Sequence, residues 1–393
     1  MKLIKRLPLL LRIIIAIILG IGLGFVMPDA LLRVFITFNG LFDQLLKFLI
    51  PLIIVGLVTG SIADVGSKAG RMLLITVALA YSSTVLAGIF SFSVSSVALP
   101  WMINGVDGGQ LGSESVHLPE YFSVKIPPLM DVMTALVTSF LLGLGIAKFE
   151  AKTLKSAFDE LSKIITLAIS RVIIPLLPLY IFGIFLDMTA SGNVGKVLMA
   201  FLVVILFIFG MSIVLLLAQF TAAGIVAGKN PLRLLLTMLP AYFTALGTSS
   251  SAATIPVTLQ QAKNNGVCNE VAGFAIPLCA TIHLSGSTLK IVACATAIMM
   301  MQGMDAEFSM MIGFIFMLGI TMIAAPGVPG GAIMAALGVL QNILGFSTDQ
   351  QAMMITLYIT MDSFGTACNV TGDGAIAVIV DKLCRSKQTA ATA

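Results

Sequence analysis

The chain has 393 residues, of which 58% are apolar and only 10% are charged, whereas soluble domains are about half apolar and about a quarter charged. Its 22 basic and 18 acidic side chains cannot cover a water-facing surface of that size, which excludes a secreted disulfide scaffold, a disordered chain and an ordinary cytosolic enzyme. A bilayer takes about 20 apolar residues per helical span, so the length fits roughly eight to ten crossings. The net charge of +4 is small and the cations lie at segment ends, so no nucleic acid partner is predicted.

Six apolar runs in the first part of the chain predict membrane-spanning helices. They are Leu9–Met27, Val34–Ile62, Met72–Ile103, Leu129–Ala147, Ile164–Phe185 and Val197–Val226. Lysine and arginine cluster before the first run and directly after the second, fourth and sixth runs. Cytoplasmic loops carry such an excess of basic residues, so these loops and the N-terminus are predicted to be cytoplasmic.

From residue 232 onward, glycine, serine, threonine and proline repeatedly interrupt the apolar pattern. The four interruptions are Gly247–Pro256, Thr281–Ser287, Ala324–Gly331 and Gly365–Asp373. The first and third lie in mid-run with about 15 apolar residues on either side, which predicts hairpins that enter half the bilayer and return. Charges at the hairpin ends place one hairpin on each side of the membrane. Oppositely oriented repeats with broken helices are typical of secondary transporters.

These interruptions resemble the dicarboxylate/amino acid:cation symporter family, which includes the glutamate and neutral amino acid transporters. The serine-rich segment Thr248–Thr258 is similar to the family's first re-entrant tip. Gly327-Val328-Pro329-Gly330 is similar to the second tip, and Asn369-Val370-Thr371-Gly372-Asp373 to the last helix. The resemblance implies an all-α polytopic membrane protein with eight transmembrane helices, two oppositely oriented re-entrant helical hairpins, inverted repeats and an elevator mechanism.

The resemblance also implies a homotrimer in the cytoplasmic membrane with both termini in the cytoplasm. It assigns the scaffold to residues 1–70 (helices 1 and 2) and to residues 104–195 (an extracellular loop and helices 4 and 5). It assigns the transport domain to residues 71–103 (helix 3), 196–230 (helix 6), 231–300 (the first re-entrant hairpin and broken helix 7) and 301–383 (the second hairpin and helix 8). Residues 384–393 are assigned to a cytoplasmic tail.

Site residues carry over from the family position by position. Asp362 matches the carboxylate that binds the α-amino group of the substrate, and Asn369 matches the amide that binds its α-carboxylate, with Thr366 one turn away on the same face. Ser250 and Ser251, together with the backbone of Val328, are expected to close the site over that carboxylate. Asp373, with Asn369, is a candidate sodium ligand because hard cations prefer oxygen ligands.

One departure from the family concerns the substrate side chain. Relatives that take dicarboxylates or acidic amino acids have an arginine three residues after the Asp362 position, and this chain has Gly365 there. No arginine occurs between Arg233 and Arg385. We therefore predict a neutral amino acid as the substrate, with Gly365 leaving room beside its side chain. The alternative is an acidic substrate whose second carboxylate is bound by Lys290 in place of the arginine.

A second departure concerns the coupling ion. The family's sodium-binding motif Asn-Met-Asp-Gly-Thr reads His283-Leu284-Ser285-Gly286-Ser287 here, so a carboxylate and a thioether are lost. His283, Ser285 and Lys290 are the coupling candidates, and Lys290 or a protonated His283 is predicted to replace a bound cation beside Asp373. The expected coupling ion is sodium with fewer sites, or a proton, and no resident cofactor is predicted. An exchanger or channel without cation coupling remains an alternative, and no enzymatic activity is predicted because a GxSxG motif is absent.

Overall fold

The computed structural model describes residues 9–67, 71–103, 118–190, 194–323, 325 and 330–391. Within these ranges the chain is all-helical. The α-helices are α1 (Leu9–Gly24), α2 (Asp29–Ser67), α3 (Arg71–Ile103), α4 (Val132–Phe149), α5 (Lys152–Ala168), α6 (Ile174–Ala190), α7 (Val194–Ala227), α8 (Pro231–Thr248), α9 (Ser251–Asn264), α10 (Asn269–Ile282), α11 (Ser285–Met301), α12 (Phe308–Ile323), α13 (Gly331–Leu344), α14 (Thr348–Thr360) and α15 (Asp362–Ala391). A π-helical turn, Ile169–Ile173, joins α5 to α6.

Six helical stretches in the described residues are long and apolar enough to cross a membrane. They are Asp29–Gly60, Met72–Met102, Lys152–Ala190, Leu198–Ala227, Asn269–Met301 and Asp362–Cys384. Shorter apolar helices, among them Leu11–Gly24 and Val137–Phe149, add to these. Large apolar side chains such as Leu86, Leu141 and Leu206 are exposed, as expected of helices that face lipid. The prediction of an all-α polytopic membrane protein is thus confirmed, and the number of crossings stays a prediction.

Two pairs of short helices occupy the places where the sequence predicts hairpins. Helix α8 packs against α9, and α12 packs against α13. Helices α9 and α13 have 14 residues each, which makes each about 21 Å long and shorter than the hydrocarbon core of about 30 Å. The first pair turns at Ser249 and Ser250, and Ser249 adopts a left-handed conformation with φ of 50°.

Two of the predicted interruptions behave differently in the structure. The chain breaks as predicted at His283 and Leu284, between α10 and α11. The prediction of a break over Gly365–Asp373 is wrong, because α15 runs through this segment without interruption and the break lies at Met361. The glycines of the segment serve close packing instead: a Cβ added at Gly372 would lie 2.7 Å from Oε1 of Gln219. Helix α15 also continues through most of the predicted tail, as far as Ala391.

The helices form two packed groups. Helix α2 packs against α4, α5 and α6, and α1 packs against α6. Helix α15 packs against α7, α8, α9, α10 and α11, while α3 covers α11. Every residue of α11 except Met300 is buried, so this helix lies in the core of the second group. The groups meet where α2 contacts α13 and where α6 contacts α14.

Candidate functional site

A small polar cavity of about 50 Å³ lies inside the second group of helices. Its walls contain serine, threonine and amide side chains together with one carboxylate. The lining residues are Ser249, Ser250, Ser251, Ala280, Thr281, Leu284, Ser287, Ala325, Gly331, Ala332, Tyr358, Asp362, Thr366 and Asn369. The cavity has room for a few water molecules, so it must widen before a larger solute can bind.

Helix ends surround this cavity. Helices α9, α11, α13 and α15 begin at or next to its lining residues, and α8, α10 and α14 end there. The starting ends present backbone N–H groups and partial positive charge, which favour an anion such as a carboxylate. The finishing ends present carbonyl oxygens, which suit an ammonium group or a metal cation. The backbone alone therefore offers both kinds of partner that an amino acid zwitterion requires.

Asp362 supplies the carboxylate in the cavity wall. It is the first residue of α15, directly after the break at Met361. Oδ2 accepts a hydrogen bond from the backbone N–H of Gly330 (2.9 Å), and Oδ1 lies 3.8 Å from Nζ of Lys290. Because Gly330 precedes α13, the carboxylate joins α15 to the second helix pair. A buried carboxylate needs such partners, since its charge is costly in the membrane interior.

Asn369 lies two turns along α15 from Asp362 and contacts the start of α11. Its Oδ1 accepts hydrogen bonds from the backbone N–H groups of Gly286 (2.8 Å) and Ser287 (3.2 Å). Its Nδ2 donates to Oγ of Ser287 (3.0 Å), which also accepts a hydrogen bond from the hydroxyl of Tyr358 (2.9 Å). The amide group thus caps α11, and its second N–H remains for a solute in the cavity.

Lys290 lies behind the cavity wall and is 1% exposed. Its Nζ donates to the carbonyl of Met361 (3.1 Å) and lies 3.8 Å from the ring centroid of Tyr358. A Cβ added at Gly365 would overlap Cε and Nζ of Lys290. The space beside Gly365 is therefore filled by lysine rather than open for a substrate side chain, which corrects that part of the sequence prediction. Lys290 also lies beside Asp362 rather than beside Asp373.

His283 is the basic group next to Asp373. Its Nδ1 lies 2.9 Å from Oδ1 of Asp373, and its Nε2 lies 3.0 Å from Oγ of Ser83. Both side chains of the His283–Asp373 pair are almost fully buried. A histidine that donates from Nδ1 satisfies one carboxylate oxygen, which leaves fewer oxygens for a sodium ion. No group of three or more histidine, cysteine or acidic side chains that could hold a metal occurs among the residues described.

A hydrogen-bonded network extends from His283 to Ser285. Nε2 of Gln219 donates to Oγ of Ser83 and to Oγ of Ser285, both at 3.0 Å. The sequence analysis identified Ser285 but missed Gln219, Ser83 and the cavity residue Tyr358. A lone amide in the strongly apolar helix α7 was the signal for Gln219, because such a group is costly in a bilayer without a partner.

The remaining predicted site residues lie at the cavity or outside the described part of the chain. Ser250 and Ser251 line the cavity, and Oγ of Ser250 caps α9 by accepting from the N–H of Ala253 (3.3 Å). Thr366 lines it too, and its hydroxyl donates to the carbonyl of Asp362. Val328 lies outside the described residues.

Discontinuous helices whose ends meet at a buried polar site are the arrangement that secondary transporters use to bind solutes and ions. The fold and the site therefore define a multi-pass membrane protein of the secondary transporter class. The chain belongs to the sodium:dicarboxylate symporter family, whose family model matches residues 9–383. This confirms the family predicted from the sequence motifs, and the family is one of transporters rather than enzymes.

Two named relatives are similar to the chain over different extents. The serine/threonine transporter SstT of Acinetobacter baumannii (strain AYE) is 28% identical over 401 residues, which cover 98% of each protein. Excitatory amino acid transporter 1 of Rattus norvegicus is 31% identical over 246 residues, which cover 62% of the present chain and 45% of the rat protein.

Proposed function

We propose that this protein is a secondary active transporter that carries a neutral amino acid across the membrane, coupled to a cation gradient. The observation that carries the proposal is the meeting of helix ends and Asp362 around one small polar cavity. In this arrangement the ammonium group of the substrate binds Asp362. The carboxylate of the substrate binds at the start of α9, where Ser250 and Ser251 lie, and it also accepts a hydrogen bond from the free N–H of Asn369. Thr366 lies one turn of α15 from Asp362 and contacts the substrate between these two charges.

The contacts of Lys290 favour a neutral substrate over an acidic one. Lys290 does not line the cavity, and its ammonium group is already bonded to Met361 and lies near Asp362. A second carboxylate on the substrate would therefore lack a basic partner at the cavity wall, and a buried unpaired charge is costly. A relative that covers nearly the whole chain is named a serine/threonine transporter, which supports the same choice.

We infer that coupling uses either sodium at a reduced number of sites or a proton. The family name supports sodium, and the carbonyl oxygens at the helix ends together with Asp373 and Asn369 would supply its ligands. The imidazole of His283, bonded to Asp373, supports a proton instead. Ser285 replaces a carboxylate of the family motif, so one sodium site of the relatives is expected to be missing.

The transport movement is proposed to follow the elevator mechanism of the family, in a homotrimer in the cytoplasmic membrane. The first packed group (α1, α2 and α4–α6) would form the fixed scaffold, and the second group (α3 and α7–α15) would carry the substrate. Hairpins α8–α9 and α12–α13 would enter the membrane from opposite sides. The separate packing of the two groups and the short lengths of the paired helices support this division.

Uptake into vesicles that contain the purified protein tests the proposal. Serine, threonine, alanine, glutamate and aspartate are offered as labelled substrates, with sodium and proton gradients imposed separately. We expect saturable uptake of one or more neutral amino acids, driven by one of the two gradients and showing counterflow, which a channel would lack. A preference for glutamate or aspartate would instead support the acidic alternative, and uptake indifferent to both gradients would contradict cation coupling.

A further inference from the structure

Lys290 forms a fixed charge pair with Asp362 inside the protein. Its ammonium group lies 3.8 Å from the carboxylate, its bond to the carbonyl of Met361 is 3.1 Å long, and the ring of Tyr358 covers it. The absence of a side chain at Gly365 provides the space that Lys290 occupies. The size of the Lys290 side chain therefore fits the space left by Gly365. Lys290 cannot reach the cavity without losing its contacts with Asp362, Met361 and Tyr358.

This pair compensates the charge of Asp362 when no substrate is bound. A carboxylate near the middle of a membrane needs a positive partner. In the loaded carrier the ammonium group of the amino acid supplies one. In the empty carrier the described residues offer Asp362 only Lys290 as a cation, together with the N–H of Gly330.

The loaded and the empty carrier differ in the charge compensation that Asp362 needs while it crosses the membrane. A carrier that can cross only when loaded exchanges one amino acid for another, and it produces no net uptake. Net uptake requires the empty carrier to return, and Asp362 must then cross without a substrate. A tethered cation beside Asp362 satisfies this requirement at every turnover, because it does not dissociate.

We propose that Lys290 is a built-in counter-cation that allows the empty carrier to return, so that the protein catalyses net uptake rather than obligatory exchange. Lys290 is thereby a positioning residue that acts through Asp362. The inference rests on the proposed function, because it assumes that Asp362 binds the ammonium group of an amino acid and that the site moves across the membrane.

The first test uses the unmodified protein in vesicles. Uptake of a labelled neutral amino acid is measured into vesicles without internal amino acid (net uptake) and into vesicles preloaded with the unlabelled amino acid (exchange). We expect both, with net uptake at no less than about a tenth of the exchange rate, since the empty site carries its own compensating charge. A protein that exchanges but shows no net uptake overturns the inference.

The second test removes the charge by Lys290→Met and by Lys290→Gln, the latter retaining a hydrogen-bond donor for Met361. Both variants are expected to lose net uptake by at least about tenfold while exchange at saturating substrate stays within about threefold, because the substrate ammonium still compensates Asp362. Thr296→Val, at an equally buried position of α11, is the control and should lower both rates equally or not at all.

Two outcomes with the variants overturn the inference. Loss of net uptake and exchange in the same proportion would make Lys290 a structural or binding residue, and unchanged net uptake would show that the empty carrier does not need it. If neither variant folds, the measurement on the unmodified protein still decides. A protein that carries no neutral amino acid in either assay would instead contradict the proposed function.

Discussion

The close contact between Gly365 and Lys290 predicts that Gly365→Ala destabilises the protein when Lys290 is present and stabilises it when Lys290 is replaced by alanine. A Cβ at position 365 would overlap the end of the Lys290 side chain and lie 3.1 Å from its Cδ. Lys290 is buried on all sides and bonded to the carbonyl of Met361, so it can give way only by losing that bond. A hydrogen bond with a charged partner contributes about 1.5–3 kcal/mol. Gly365→Ala should therefore destabilise the protein.

The higher helix propensity of alanine partly offsets this destabilisation by Gly365→Ala. Replacing glycine by alanine inside a helix stabilises it by about 0.8–1.0 kcal/mol. The net effect of Gly365→Ala in the natural sequence is therefore a loss of about 0.5–2 kcal/mol, the difference between the two terms. In a Lys290→Ala background the steric conflict disappears, and the same substitution should stabilise by about 1 kcal/mol.

A double-mutant cycle measures this change of sign. The thermal stability of the detergent-solubilised protein is compared for the natural sequence, for each single variant and for the double variant. Gly273→Ala is the matched control, because a Cβ at this helical position meets no atom within 4 Å. If Gly365→Ala stabilises the protein equally in both backgrounds, Lys290 does not occupy the space beside Gly365 and the reasoning fails.

Three further sets of variants test the site and the contact between α14 and α2. His283→Asn combined with Ser285→Asp should lower the half-saturating sodium concentration by at least about tenfold, because it adds oxygen ligands; an unchanged sodium response would contradict the coupling role of this segment. Thr348→Val removes the hydrogen bonds between α14 and α2, each of which contributes about 0.5–1.5 kcal/mol. If α14 and α2 move apart during transport, this variant should take up substrate several-fold faster at an unchanged half-saturating substrate concentration. Ser250→Ala should weaken substrate binding by up to about tenfold through loss of the α9 cap, whereas Ser250→Thr should not.

The sequence was sufficient for the apolar helices and for the breaks at Ser249–Ser250 and at His283–Leu284. A bilayer demands about 20 apolar residues in a row, so spans give a strong signal. Serine, glycine and proline within such a run have few uses other than a turn or a cavity, which explains the correct prediction at Ser249 and Ser250. The break at Met361 gave no such signal, since no glycine, serine or proline occurs in α14 (Thr348–Thr360) before it. It is specified instead by tertiary contacts, among them the bond from Lys290 to the Met361 carbonyl.

Helical periodicity predicted the wrong carboxylate as the partner of Lys290, Asp373 instead of Asp362, for a physical reason. Seven residues separate His283 from Lys290, which would place both on one face of a continuous helix. The chain breaks at His283 and Leu284, so α11 begins only at Ser285 and periodicity does not extend across the break. His283 consequently points to Asp373, whereas Lys290 points to Asp362. The sequence identified all four groups, but their pairing required the structure.

The pairs Asp373–His283 and Asp362–Lys290 bear on the proposed charge of the substrate. Asp373 lies with His283 and Asp362 lies with Lys290, so each buried carboxylate of this site has its own basic partner. A neutral amino acid brings one positive and one negative group and leaves this balance unchanged. A glutamate or aspartate would bring a second negative group, and neither basic side chain lines the cavity to receive it. Because an unpaired charge at this depth is costly, the pairing of Asp362 with Lys290 supports the proposal of a neutral substrate, as the missing arginine does.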